Sequence, residues 1–446
     1  MRIKRLTIFL LALSILFIWI VSTYIFFPTR AFNNEMGKMK HIMKQLDELE
    51  GGVSQIMGAN KNILHEMASE YDLRIEKIKK ATEKEISQDE KLKKLQKSFN
   101  GGPVIPVIVF ACNRITVIRC LDQLIQYRPD PRQFPIIVSQ DCNDLQTKNA
   151  INTNYGDKLT LIEQPDQSDI QVPPKEKKFK GYFKIARHYG WALNQTFFKY
   201  NFDTAIIVED DLDIAPDFFE YFVGTYYLLK HDPTLWCISA WNDNGKSNLV
   251  DMENGASKLY RTDFFPGLGW MLTKELWTEL APKWPKAYWD DWIRRPEQRK
   301  DRACIRPEIS RTRTFGKYGV SNGLFYEKHL KYIQLNDKFV PFSKMDLTYL
   351  LKNYYDEPFL KEVYDNSIEV SYHNLRTLVL PEKQSIRIPY TKETYKKAAR
   401  AVGLMDDFKS GVPRTGYRGI ITFHWNGRTA YLAPPRNWNG YDPSWS

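Results

Sequence analysis

Cysteine is scarce, five residues in 446 (Cys112, Cys120, Cys142, Cys237 and Cys304), and no C-x-x-C pair, His-rich tract or H-E-x-x-H occurs. A structural zinc or a zinc hydrolase therefore has little support. No G-x-x-x-x-G-K-[ST] or G-x-G-x-x-G follows a strand-like run, which removes the phosphate loops of NTPases and dehydrogenases. Proline is missing between Arg30 and Asn100, and that stretch has only three aromatic residues, Phe32, Tyr71 and Phe99. A strong charge bias is also missing: Lys+Arg number 64 against 53 Asp+Glu. Part of that excess, Arg2, Lys4, Arg5 and Arg30, sits in an acid-free N-terminus, so net charge gives no argument for a nucleic-acid partner. A hydrophobic content of 43% supplies a real core and excludes wholesale disorder.

Leu6 to Phe27 is an uncharged run of 22 residues, about 33 Å as a helix, enough to cross a bilayer. A cleaved signal peptide has a shorter apolar region and a small-residue cleavage site. Here Tyr24, Phe26, Phe27 and Pro28 stand where such a site belongs. The reading is an uncleaved anchor, and the flanking Arg2, Lys4 and Arg5 keep residues 1–5 cytosolic and send the chain beyond Phe27 into the lumen. All five cysteines then lie where disulfides persist. Five allow two bridges and a free thiol, without saying which.

Residues 28–102 read as a stem. Apolar residues recur at helical spacing in pieces, interrupted by Gly51-Gly52 and Gly58, and the register does not hold over three or four heptads. A solvated helical spacer and a coiled coil mediating self-association both fit. Gly101-Gly102-Pro103 ends the stem, and strand-like runs then alternate with helical ones. The strands are Val104–Ala111, Phe134–Ser139, Leu159–Glu163 and Thr204–Val208; the helices are Thr116–Tyr127, Phe183–Lys199 and a proline-started Pro216–Leu229. Alternation predicts an α/β fold with a mainly parallel sheet and ligands at the carboxyl ends of its strands.

The fourth strand runs straight into Glu209-Asp210-Asp211, with Asp213 beyond it. Adjacent carboxylates repel unless something cationic sits among them. A solvated turn in which Asp213 caps the next helix is the bland reading. Strand alternation would instead put Glu209 and Asp211 on one face and Asp210 on the other, one to hold a divalent cation and the other a ribose hydroxyl. Mg2+ or Mn2+ on one or two carboxylates, completed by a diphosphate, is the usual arrangement for nucleotide substrates. In an anchored lumenal protein this suggests a sugar-nucleotide transferase.

Residues 264–294 hold Trp270, Trp277, Trp284, Trp289 and Trp292. Trp277 reads as core. The turn Pro266-Gly267-Leu268-Gly269 and the quartet Trp289-Asp290-Asp291-Trp292 are harder to explain by packing. A carboxylate held between aromatic planes would gain proton affinity, as a general base needs; serving as a partner for Arg294 or Arg295 is the alternative. Residues 316–323 have the composition of a lid or of an ordinary surface loop. His188 reads as a satisfied histidine on a helix surface.

The acidic triplet, SAWNDNG at 239–245, the blocks RTDFFPGLGW and KWPKAYWDDWIRRPEQR, and the ending GYDPSWS together resemble the N-acetylglucosaminyltransferase I family over residues 103–446. The resemblance implies a GT-A glycosyltransferase fold, with a Rossmann-like nucleotide-binding half and an acceptor-side half. It also implies an inverting, Mn2+-dependent transfer of GlcNAc from UDP-GlcNAc to the α-1,3-linked mannose of a Man5GlcNAc2 N-glycan. Asp211 matches the family's metal ligand, assisted in nucleotide binding by Glu209 and Asp210. Arg114 in ACNR, Asp141 in SQDC, His188 in IARHYGWAL and Ser321 match its UDP-GlcNAc contacts, and Asp290 its catalytic base. Cys112 with Cys142 and Cys237 with Cys304 match its disulfides, leaving Cys120 free. Asn113 departs from the Asp that family members often carry between Cys and Arg. The implied partners are the donor, a high-mannose N-glycan and the Golgi membrane, with type II orientation, plus self-association through stem or anchor. A transferase extending O-linked mannose, or a non-catalytic lumenal glycan-binding paralogue, are the alternatives. Asn194-Gln195-Thr196 is the single N-x-[ST] sequon and falls in a predicted helix.

Overall fold

The computed structural model describes residues 2–26, 32–95, 102–317, 323–375, 379, 381 and 383–445. Two compact units divide the chain, residues 1–86 and 87–446.

The first unit contains helix α1 (Arg2–Phe26) and most of α2 (Phe32–Leu95), a single helix of 64 residues. The predicted interruptions at Gly51-Gly52 and Gly58 do not occur. A glycine costs a helix only about 1 kcal/mol, and this one is free of proline and carries i,i+4 pairs such as Arg74–Glu70 at 2.7 Å and Lys80–Glu76 at 2.8 Å. Among the described residues no helix is long and apolar enough to cross a membrane. The membrane anchor expected over Leu6–Phe27 therefore has no support among the described residues.

The second unit is built on an eight-stranded sheet. Its first strands are β1 (Val107–Ala111), β2 (Ile136–Gln140), β3 (Thr160–Glu163) and β4 (Thr204–Glu209). A short β5 (Leu212–Ile214) follows, then β6 (Leu235–Ser239), β7 (Leu259–Thr262), β8 (Trp270–Thr273), β9 (Ala303–Pro307) and β10 (Thr312–Thr314). The order is β3-β2-β1-β4-β8-β6-β9-β7, with β5 and β10 paired separately. The four N-terminal strands are parallel, as alternation predicts, but β8 runs antiparallel to both β4 and β6, and β7 antiparallel to β9, so the sheet is mixed.

Strand alternation sorts β1 between two cores. Val107, Val109 and Ala111 face one cluster, with α3 (Val117–Tyr127); Ile108 and Phe110 face the other. The helix α4 (Leu145–Tyr155) sends Ile151 and Tyr155 to the first cluster. The second is capped by α5 (Lys180–Asn194), which continues as a π-helical turn to Lys199. Helix α6 (Phe218–His231) starts two residues after Pro216, since Asp217 occupies the N-cap position. Two further helices follow, α7 (Lys274–Leu280) with Trp277 and α8 (Trp289–Ile293) with Trp289 and Trp292, while Trp270 lies on β8. Trp277 is core, 1% exposed.

A smaller sheet of β11 (Ile368–Glu369), β12 (Ile386–Pro389), β15 (Ile421–Trp425) and β16 (Arg428–Ala433), in the order β11-β12-β16-β15, encloses a third core; β13 (Phe408–Lys409) and β14 (Val412–Pro413) form a hairpin beside it. Both disulfides match the family pairing. Cys112–Cys142 joins the carboxyl ends of β1 and β2, Cys237–Cys304 joins paired residues of β6 and β9, and Cys120 is free and buried.

Candidate active site

Parallel register brings the carboxyl ends of β1, β2 and β4 to one edge, Ala111 opposite Gln140 and Phe110 opposite Glu209. The segments holding Arg114, Asp141 and the acidic triplet therefore emerge side by side. At the triplet the alternation expected from an extended strand fails, because β4 stops at Glu209 and the chain turns at Asp210-Asp211. Asp210 and Asp211 both face Arg114, at 2.6 and 3.0 Å, whereas Glu209 accepts a hydrogen bond from the Tyr189 hydroxyl at 2.9 Å. Arg114 is the cation that lets these carboxylates share a site. Burial, reinforced by Asp211, still pushes the Glu209 carboxyl up to about 7. Burial likewise carries Asp210 to about 7 against the opposing charge of Arg114. Asp213 does not cap α6; it is buried and bound by Arg119 at 2.6 and 2.7 Å and by Arg313 at 3.0 Å.

Among the described residues no group of three or more His, Cys, Asp or Glu side chains could hold a metal ion. A cation that keeps its waters and takes one or two carboxylates plus substrate phosphates needs no such cage. The donor set fits that kind of site: Asp211 is partly exposed at the turn, and Asp210 Oδ2 is buried without a hydrogen-bond partner among the described residues. A Cβ at Gly316 would overlap the Asp211 carboxylate, so only glycine lets the backbone pass this close.

His188 is not on a helix surface. It is buried on α5, its Nε2 lies 2.8 Å from Ser139 Oγ, and its ring meets the edge of Phe110. Burial lowers its proton affinity to about 4, so the imidazole is neutral at physiological pH. Asp141 is buried and accepts from Gln167 Nε2 at 2.9 Å. Ser321 lies outside the described residues, as does the stretch 318–322 of the glycine-rich segment.

The tryptophan block is placed differently from expectation. Phe110, Tyr189 and Trp289 stack in series, at 3.8 and 4.5 Å between centroids, and Trp289 and Trp292 are both buried. These indoles are core and offer no open plane to a sugar. The carboxylates between them point outward: Asp290 is 46% exposed and Asp291 45%, and Arg294 holds them at 3.0 and 3.2 Å. Burial would raise Asp291, but Arg294 and then Lys409 hold it below the usual carboxylate range, the reverse of the expected increase. Gly269 also has a packing reason after all, because a Cβ there would meet Thr312 Cγ2 at 2.6 Å.

Sequence reasoning missed Tyr189, whose hydroxyl burial pushes up, with Glu209, Asp211 and Asp290 adding to the rise. It also missed Lys409, whose Nζ lies 3.0 Å from Asp291. Tyr189 sits next to His188 in sequence, which was an available signal; for Lys409 there was none.

The GNT-I family model matches residues 5–445. An Arabidopsis thaliana alpha-1,3-mannosyl-glycoprotein 2-beta-N-acetylglucosaminyltransferase is 38% identical over 351 residues, 76% of each chain. Among solved structures, a mannosyltransferase from Pyrobaculum calidifontis in complex with GDP-Man and Mn2+ is 16% identical, covering 44% of this chain and 53% of that one, with a TM-score of 0.28. A glucosyl-3-phosphoglycerate synthase from Mycobacterium tuberculosis with Mn2+, UDP-glucose and phosphoglyceric acid is 14% identical, covering 43% and 62%, with a TM-score of 0.27. The chain thus spans less than two thirds of either solved structure.

Proposed function

The chain belongs to the GNT-I family, and from that membership we propose that it is an inverting glycosyltransferase moving GlcNAc from UDP-GlcNAc, in β-1,2 linkage, to the α-1,3-linked mannose of Man5GlcNAc2 N-glycans. The observation that carries the reading is Tyr189, which bonds Glu209 at the acidic strand end and stacks on Trp289 beside Asp290. One rigid aromatic column thereby ties a nucleotide-binding edge to a half-exposed carboxylate. The fold assigned is GT-A, on the strength of the four parallel strands and of where the triplet leaves them.

Arg114, Asp141, His188, Glu209 and Asp210 bind the donor, Ser321 joins them from the glycine-rich segment, and Asp211 holds the divalent ion, Mn2+. A divalent ion held there would supply positive charge to the diphosphate leaving group. Arg114, held by Asp210 and Asp211, places a second positive group at the same strand end. Asp290 takes the proton of the mannose 2-hydroxyl as that oxygen attacks the anomeric carbon, and Arg294, 3.0 Å away, aims the carboxylate. Attack on the face opposite the departing UDP, in a single displacement, inverts the anomeric centre.

The remaining organisation accords with the same reading: residues 1–5 cytosolic, 6–27 a signal anchor in the Golgi membrane, 28–102 the stem, and 103–446 the lumenal catalytic domain. The uncharged run and its basic flank support the anchor. The test is incubation of the full chain with UDP-GlcNAc, Mn2+ and a Man5 glycan. One GlcNAc should be added, EDTA should stop it, and Asp290→Asn should lower kcat by about 100-fold or more while donor binding persists. Wild-type turnover in Asp290→Asn would remove the base assignment.

A further inference from the structure

With Trp289 and Trp292 buried, the rings that stand half-buried around Asp290 belong to other residues. Tyr288 and Tyr182 lie 4.9 Å apart between centroids, and Phe179 joins them at 6.3 to 6.4 Å. Tyr288 is held at φ 52°, ψ 46°, a left-handed conformation that a bulky side chain adopts only under strain. The strained residue immediately precedes α8, whose second residue is Asp290. Its ring is laid against the first turns of α5, also meeting Phe183 at 6.3 Å. Burial raises the Tyr182 hydroxyl, and the charges of Asp290 and Asp291 add to the rise, so this ring lies within their field.

Pyranose rings present C–H faces to aromatic planes and hydroxyls to polar tips, and tyrosine offers both. We infer that Tyr182 and Tyr288 form the wall against which the acceptor's sugar rings stack, turning the mannose hydroxyl toward Asp290. The inference rests on the transferase reading and adds which residues select the acceptor. The left-handed Tyr288 has a purpose in it: the backbone turn that starts α8 also fixes the wall relative to the carboxylate.

The experiment uses the full chain in detergent, saturated with UDP-GlcNAc and assayed over a range of the mannose-terminated glycan. Tyr182→Ala and Tyr288→Ala are expected to raise the acceptor KM about fivefold to tenfold, the size of one lost aromatic contact. The donor KM and the acceptor-free hydrolysis of UDP-GlcNAc should stay at wild-type values, and Tyr182→Phe should keep the acceptor KM low. An unchanged acceptor KM in Tyr182→Ala overturns the inference, as does a donor KM that rises equally. Where Tyr288→Ala fails to fold by circular dichroism, Tyr182→Ala decides alone. If the wild type binds UDP-GlcNAc but extends no mannose, the transferase reading fails. Titration of free Man5 oligosaccharide against intrinsic fluorescence then tests the wall: binding lost in Tyr182→Ala supports it, and equal binding in both proteins removes it.

Discussion

His188 is the residue whose burial has the most direct thermodynamic consequence. Its imidazole falls from 6.5 to about 4 in the folded protein, first because burial penalises the charged form, with Asp141 opposing and Arg187 adding. Between those values the unfolded chain binds a proton that the native chain does not, so stability is lost as pH falls through that window and is unaffected above it. Between pH 7 and pH 5 the wild type should lose about 2 kcal/mol more than His188→Gln, measured as the difference in urea midpoints. Parallel curves for the two proteins would show that the ring is not buried neutral. At this scale the sequence was legible where chemistry is local. Three carboxylates at a strand end need a cation unless they are solvated, and Arg114 meets that need. What could not be read is partnership across sequence: Ser139 for His188 and Lys409 for Asp291 are joined by the fold with no spacing to betray them, and Tyr189, although adjacent to His188, gives no sign of its bond to Glu209.

Elements were legible where hydrophobic period and length agree. The first four strands of the main sheet fall within three residues of expectation, because their runs are β-branched, short and bounded by turns. Glycine misled in α2 since its cost is small when nothing is packed against it. The same residue in α6 has the opposite meaning: a Cβ on Gly224 would sit 2.5 Å from Phe342 Cβ and 2.6 Å from its carbonyl carbon. Gly224→Ala should therefore cost about 2 kcal/mol by overpacking. Gly58→Ala, where nothing lies within 4 Å, should stabilise α2 by about 0.5–1 kcal/mol. Thermal melts followed at 222 nm check both, and a neutral Gly224→Ala would mean that the 340–344 segment yields freely. The sequon belongs to this scale too. Thr196 is fully buried with its hydroxyl on Ala192 O, and Asn194 accepts from Trp277 Nε1 at 3.0 Å. Both residues of the acceptor triplet already serve the end of α5, which argues against a glycan there.

At the scale of residues 87–446, periodicity predicted a parallel sheet and the chain built a mixed one, because pattern reports which faces are buried and not the direction of a returning strand. Periodicity is equally silent on how the third core is tied to the main sheet. That tie is polar: Asp243, in the SAWNDNG loop after β6, is buried and meets Arg414 at 2.6 Å, while Arg414 also holds Asp407 at 2.9 Å. Asn244 adds bonds to Thr415 and to the Met405 amide at 3.1 and 2.9 Å. Burial alone would raise the Asp407 carboxyl, yet Arg414 keeps it below the ordinary range. Removing the guanidinium leaves a buried carboxylate without its partner, so Arg414→Ala should cost about 3–5 kcal/mol, and Arg414→Lys should recover little because the fork serves two acids at once. The β13–β14 hairpin that Lys409 extends to Asp291 lies between Asp407 and Arg414, so the loosening should reach the active site. Arg414→Ala should raise acceptor KM and lower kcat while leaving donor KM near wild type. Asp243→Asn combined with Arg414→Met should regain part of the lost stability, since Asp243 is then no longer a buried charge without a partner, although Asp407 still lacks its guanidinium. A urea midpoint unchanged in Arg414→Ala would show that this contact contributes nothing to stability, and the coupling of the third core to Asp291 would have to run through the hairpin backbone instead.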